Sequence, residues 1–300
     1  MIDKMKANMI FPDFVNMINI YDYFLNTINN HPEIIDNRFT LKAIFGCFPN
    51  AIWNGGGHFF DPNHFFLQEE VERYINFYNS NGIPIRYTFT NPVLEEHMYY
   101  DTYCNMLAKA GHNGFNEILT SDPKLEEYLR EKYPNYKYVK SIIGTKDQDI
   151  FLDDKYYMSV LKRKRNNDWN FLDTIPLEKR SKVELLCTDP CPTNCPRIYE
   201  HYKEHGKHQI SYYSFNKDQS ECTMQDIKGC FEEKYSKTLR VHIEKEMILK
   251  DYLPKGFTNF KISGRFNYGT VIEELVNYFI LPEYQKDIRI NLINSLVGVL

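Results

Sequence analysis

The chain has 300 residues, 43% hydrophobic and 25% charged, with a formal net charge of −4 and a pI near 6.2. This is ordinary globular usage with material for a large core, so folding needs no cross-links. Basic residues are scattered apart from "KRKR" at 162–165, which reads as a solvated turn; the balance gives no electrostatic footprint for nucleic acid, and no run approaches the roughly 18 apolar residues of a membrane span.

The opening stretch "MIDKMKANMIFPDF" lacks the long apolar core of a signal peptide. A soluble, cytoplasmic chain is therefore expected, in which seven cysteines point to metal binding or catalysis before disulfides. A helix over about 12–29 follows, within an N-terminal helical extension spanning 1–38. Runs rich in β-branched and aromatic residues, bounded by turn residues, then read as strands. "LKAIFGC" (41–47) is the first, trailed by the glycine-rich "FPNAIWNGGGHF" (48–59) and a helix over 63–80. "IPIRYTFT" (83–90) leads to a helix over 93–111, and "GFNEILT" (114–120) to one over 122–133. That helix has Asp122 to cap it and Pro123 in its first turn, where a missing N–H costs nothing.

"YKYVKSII" (136–143) and "YYMSVL" (156–161) come next, with a short helix at 167–175. "KVELLC" (182–187) precedes a helix over 196–206, and "HQISYYSF" (208–215) a long helical segment around 225–250. "TNFKISG" (258–264) and a helix over 270–280 complete the series, leaving 286–300 as a tail. Eight strand–helix units over 39–285 predict a single α/β domain, a (β/α)8 TIM-like barrel with an extra N-terminal helix. The segments 41–47 and 258–264 should then be neighbours that close the sheet. An open doubly wound sheet is disfavoured, since no glycine-rich phosphate fingerprint follows the first strand.

Barrel chemistry sits at the C-terminal strand ends and in the loops behind them. Cys47, Cys187, Cys191, Cys195, Cys222 and Cys230 all map to that face, whereas Cys104 lies in an amphipathic helix and reads as packing. In "VELLCTDPCPTNCPRIYEHY" (183–202), Cys187, Cys191 and Cys195 are spaced by four, and Pro192, Thr193 and Asn194 form a turn able to aim Cys191 and Cys195 at one point. Thiolates are soft ligands that suit zinc or an iron–sulfur cluster, usually four at a time. The expected set is Cys187, Cys191, Cys195 and Cys230, with Cys222 or Cys47 as substitutes. A radical-SAM loop is spaced four and three and follows the first barrel strand, so that chemistry ranks low. Substrate contacts are expected from Asn54, Gly55 and Gly56, where glycine allows close approach. Asn91 after the second strand and Arg265 after the last join them, the guanidinium suiting a carboxylate or phosphate. Thr120 and Ser121 follow the third strand. His201 and His205 share a helix face but lack the glutamate of a zinc-protease motif.

The segments "NGIPIRYTFTNPVLEEHMYYDTYCNMLAKAG", "VELLCTDPCPTNCPRIYEHY" and "FTNFKISGRF", in that order, resemble the U32 peptidase-like (collagenase-like) family of barrels over most of residues 40–285. Members of that family are peptidases, or iron–sulfur proteins that assist hydroxylation of RNA bases or quinone precursors. The resemblance implies a barrel carrying a cysteine-ligated [4Fe–4S] cluster and acting as a redox-type enzyme or accessory factor. The family's glycine-rich cysteine signature, with a serine following, is not reproduced around 187–195, which weighs against proteolysis. The alternative is a zinc-stapled barrel, hydrolase-like or non-catalytic. Substrate, electron donor, any partner protein and whether the chain is an enzyme are left open by the sequence.

Overall fold

The computed structural model describes residues 5–55, 61, 64–143, 148–193, 195, 197–211, 240–264 and 267–296. Its strands are β1 (Ala7–Pro12), β2 (Phe39–Gly46), β3 (Ile85–Phe89), β4 (Glu117–Thr120), β5 (Lys137–Lys140), β6 (Met158–Val160), β7 (Val183–Pro192), β8 (Arg240–His242) and β9 (Asn259–Ile262). All except β8 run parallel, in the order β6-β5-β4-β3-β2-β1-β9-β7, and the β6–β7 pairing closes the ring. The result is the (β/α)8 barrel expected from sequence. β8 lies antiparallel on the far end of β7, with Thr188 opposite His242.

The helices are α1 (Ile18–Asn30), α2 (Gln68–Ser80), α3 (Thr102–Ala110), α4 (Pro123–Lys132), α5 (Trp169–Leu172), α6 (Leu177–Arg180), α7 (Ile198–Ile210), α8 (Lys245–Met247), α9 (Tyr268–Phe279) and α10 (Gln285–Leu296). Local chemistry explains their limits. The Asp122 carboxylate accepts from the Lys124 and Leu125 amides at 2.8 and 3.0 Å, starting α4 as its sequence predicts. α9 buries Val271, Ile272, Leu275, Val276 and Phe279, a stripe at helical spacing laid against the outside of the barrel.

Three sequence expectations are corrected. Residues 1–38 are not a helical extension, because Ala7–Pro12 is a barrel strand between β2 and β9. The segments 41–47 and 258–264 are therefore not neighbours, and the helix read as extra is the partner of β1. The segment 208–215 is not the seventh strand, since residues 208–210 end α7, and the remainder from 212 lies outside the described residues. One strand missed and one wrongly assigned left the count at eight. Finally, 286–300 is not a tail, because α10 runs to Leu296 and packs against α1 and α9.

Strand alternation sends one set of side chains to the outer helices and the other into the barrel. The pairing registers stack the inner set in layers of four drawn from alternate strands. Ile10, Arg86, Val139 and Glu184 form one layer; Phe45, Leu119, Val160 and Lys261 form the layer on its C-terminal side, and Ala43, Glu117, Met158 and Asn259 the one below. Charge inside a barrel is tolerated only when paired. Arg86 Nε donates to Glu117 Oε2 at 2.7 Å and its Nη1 donates to Glu184 Oε2, with all three side chains fully buried. Lys261 Nζ lies 3.9 Å from Glu184 Oε1 and 4.0 Å from the centre of the Phe45 ring.

Candidate functional site

The C-terminal mouth of the barrel is built from the loops after β2, β3, β4, β6 and β7. In the C-terminal part of β7, Asp189 is buried and its Oδ1 accepts from the Cys191 amide at 2.8 Å, a local bond that holds the cysteine segment at the strand end. Arg163, just past β6, brings its Nε to 2.7 Å from Asp189 Oδ2, and its Nη2 donates to Tyr202 Oη on α7 at 2.7 Å. Burial opposes the guanidinium charge, but the neighbouring Tyr202, Asp189 and Cys191 outweigh it and raise the Arg163 pKa. Burial pushes Tyr202 up to about 12 while Arg163 pulls it down. Arg163, Asp189, Tyr202 and Cys191 thus form one charge-coupled group at the mouth. Arg163 belongs to the basic run read as a solvated turn, and nothing local distinguishes it from its exposed neighbour Lys164; only the fold turns it inward.

The expected thiolate set does not assemble around this group. Cys187 points outward from β7 into the helix layer, beside Tyr278 of α9. Burial and the nearby Glu274 push its thiol well above the ordinary range, against the Tyr278 hydrogen bond. Cys47 is also buried in the outer layer, near Tyr87, Tyr103 and Cys104. Cys104 is buried on α3 as its helix pattern predicts, with its thiol pushed up by burial and Asp101. Cys191 and Cys195 are the partly exposed pair among the described cysteines, and they lie in the loop expected to bind metal. Among the described residues no three His, Cys, Asp or Glu side chains converge as a metal site. Cys222 and Cys230 lie outside the described residues, as do Gly56 and Arg265. Cys191 and Cys195 thus share the segment at the C-terminal mouth, and Cys187 faces away from it into the helix layer.

The described substrate candidates also have places. Asn54 is buried and its Oδ1 accepts from Thr88 Oγ1 at 2.7 Å, drawing the loop after β2 over the end of β3. Gly55 passes so close to Thr90 that a Cβ there would collide with the Thr90 carbonyl and lie 2.6 Å from Thr90 Oγ1. The glycine is required by this chain's own backbone. Asn91 is a clip: Nδ2 donates to the Ile52 and Gly206 carbonyls at 2.8 and 3.0 Å, and Oδ1 accepts from the Val93 amide at 3.1 Å. Sequence reasoning missed Thr90, Asp189 and Tyr202, which carry no local motif and become neighbours of the site only when the barrel closes.

The fold and its mouth define the class, a (β/α)8 barrel with a cysteine-bearing loop at the C-terminal face. No family model and no curated protein matches the sequence. Among solved structures the chain is similar to the U32 peptidase Mk0906, with a TM-score of 0.48 and 11% identity over 87% of this chain and 94% of that one. No described helix is long and apolar enough to cross a membrane.

Proposed function

We propose that this barrel carries a thiolate-held metal centre at its C-terminal mouth and serves a redox-type reaction there, as an enzyme or an accessory factor. An iron–sulfur cluster is the first reading and zinc the second. The observation that supports it is the segregation of the cysteines. Among the described cysteines, Cys191 at the end of β7 and Cys195 just past it are partly exposed, whereas Cys47, Cys104 and Cys187 are buried in the outer layer. A thiolate beside a guanidinium is favoured over the thiol, and Cys191 shares its surroundings with Arg163. With Cys187 turned away, Cys222 and Cys230 are the candidates for the remaining positions. A bound cluster would supply electron transfer; the chain's own contribution is to position the loop through Asp189 and to hold Arg163 charged beside it.

Anaerobic purification of the full chain tests this reading. Visible absorbance bleached by dithionite, with iron and sulfide present, is the expected result, and Cys191→Ser or Cys195→Ser should abolish it while Cys187→Ser leaves it intact. A colourless protein with stoichiometric zinc, lost in the same two variants, establishes the zinc-stapled alternative. Unchanged metal content in both loop variants, or no metal in the wild type, defeats both.

A further inference from the structure

Opposite the cysteine segment, the barrel mouth carries a row of three hydroxyls, two of which have no hydrogen-bond partner among the described residues. Phe89 pairs with Thr120, and Thr120 with Lys140, so Thr90, Ser121 and Ser141 are the next residues in register on three adjacent strands. Each continues the inward alternation of its strand: Arg86, Thr88, Thr90 on β3; Glu117, Leu119, Ser121 on β4; Lys137, Val139, Ser141 on β5. They are buried, with exposures of 1%, 8% and 2%. Ser141 Oγ accepts from the Ile143 amide at 3.1 Å, but Thr90 Oγ1 and Ser121 Oγ have no hydrogen-bond partner among the described residues. Lys162 occupies the corresponding inward register position beyond β6, after Met158 and Val160.

A buried hydroxyl left unpaired destabilises the chain that holds it, and an apolar isostere at such a position is neutral or stabilising. Two neighbouring ones at the functional end of a barrel mark a site shaped for a polar group brought from outside. We propose that Thr90 and Ser121 bind an oxyanion, the carboxylate or phosphate of a small-molecule ligand, at the C-terminal mouth. Hydroxyl donors bond an anionic oxygen more strongly than a neutral one, and Lys162 on the next strand supplies charge of the right sign. This inference names a ligand class for the mouth described above; it rests on that mouth being a binding site and not on the metal, and it is read separately from metal content.

The test compares thermal unfolding of the full wild-type chain with a Thr90→Val, Ser121→Ala double variant, in inert buffer, in inorganic phosphate and in acetate at matched ionic strength. Without anion the variant should unfold at the same temperature or about 1–4 °C higher, because it loses only unpaired groups. With anion the wild type should gain thermal stability and the variant should not; the anion that produces the difference identifies phosphate or carboxylate as the source. Three results overturn the proposal: no anion-dependent gain in the wild type with either probe, the same gain in both proteins, or a variant less stable without anion. The last would show that the hydroxyls are satisfied by the protein's own buried water.

Discussion

Arg86 on β3 and Glu184 on β7 meet inside the barrel, the guanidinium Nη1 donating to Oε2 with neither side chain exposed to solvent. The same guanidinium holds Glu117 of the neighbouring strand at 2.7 Å, so it bridges two buried carboxylates, and Lys261 approaches the second at 3.9 Å. Removing one partner of a buried pair strands the other's charge and costs far more than the pair's net worth. Arg86→Met should lower stability by about 3–5 kcal/mol in urea unfolding. Adding Glu117→Gln should recover part of that loss, because Glu184 keeps Lys261 beside it. A single variant as stable as wild type would show that the network is idle.

Much of the barrel is legible in the sequence, and its misreadings have physical causes. β3, β4 and β5 alternate inward and outward between turn residues and are found within two or three residues of their limits. β1 is a short, largely apolar run, "ANMIFP", mostly buried on both faces, and periodicity cannot separate such a strand from the start of the helix that follows. The "HQI" that opens 208–215 ends α7, where the β-branched Ile210 reads in the sequence as the beginning of a strand. For the site, cysteine spacing located the loop but not the direction of each thiol. Cys187 lies on an outward strand position, and its even spacing from Cys191 conceals that. The Arg86 network left no sequence signal, because three ionisable residues far apart in the chain become neighbours only when the ring closes.

At Gly55 the prediction is steric. A Cβ there collides with the Thr90 carbonyl, part of a backbone tied down by the Asn91 amide's bond to the Trp53 carbonyl at 3.0 Å. Gly55→Ala should cost about 1–3 kcal/mol, the scale of overpacking a tight site, whereas Gly82→Ala meets no neighbour and pays only for its positive φ of 72°. If Gly55→Ala is neutral by thermal unfolding, the loop does not cross β3 as described.

Cys187 offers a contrast between packing and ligation. Its thiol fills the outer layer between β7 and α9, so Cys187→Ala should lower stability by about 1–2 kcal/mol through lost burial and a small cavity. The metal content of the purified protein should not change. Iron or zinc lost in this variant, with circular dichroism unchanged, would return Cys187 to the ligand set.

Acid sensitivity should come in part from Asp36, a buried carboxylate just before β2. Its Oδ1 and Oδ2 accept from Arg38 Nε and Nη2 at 2.8 and 2.7 Å, and Lys245 of α8 reaches Oδ2 at 2.9 Å. Burial pushes the carboxyl up, but the bonds from Arg38 and Lys245 outweigh it and hold the pKa at about 2, below the ordinary 3.8. The folded state thus binds this proton less readily than the unfolded chain. The stabilisation is fully present above about pH 4, is lost as the pH falls towards 2, and amounts to about 2 kcal/mol at most. Asp36→Asn should lower stability at neutral pH and flatten its dependence on pH between about 4 and 2. Urea midpoints for the two proteins across that window check it, and curves that stay parallel to pH 2 would assign the acid sensitivity to other carboxylates.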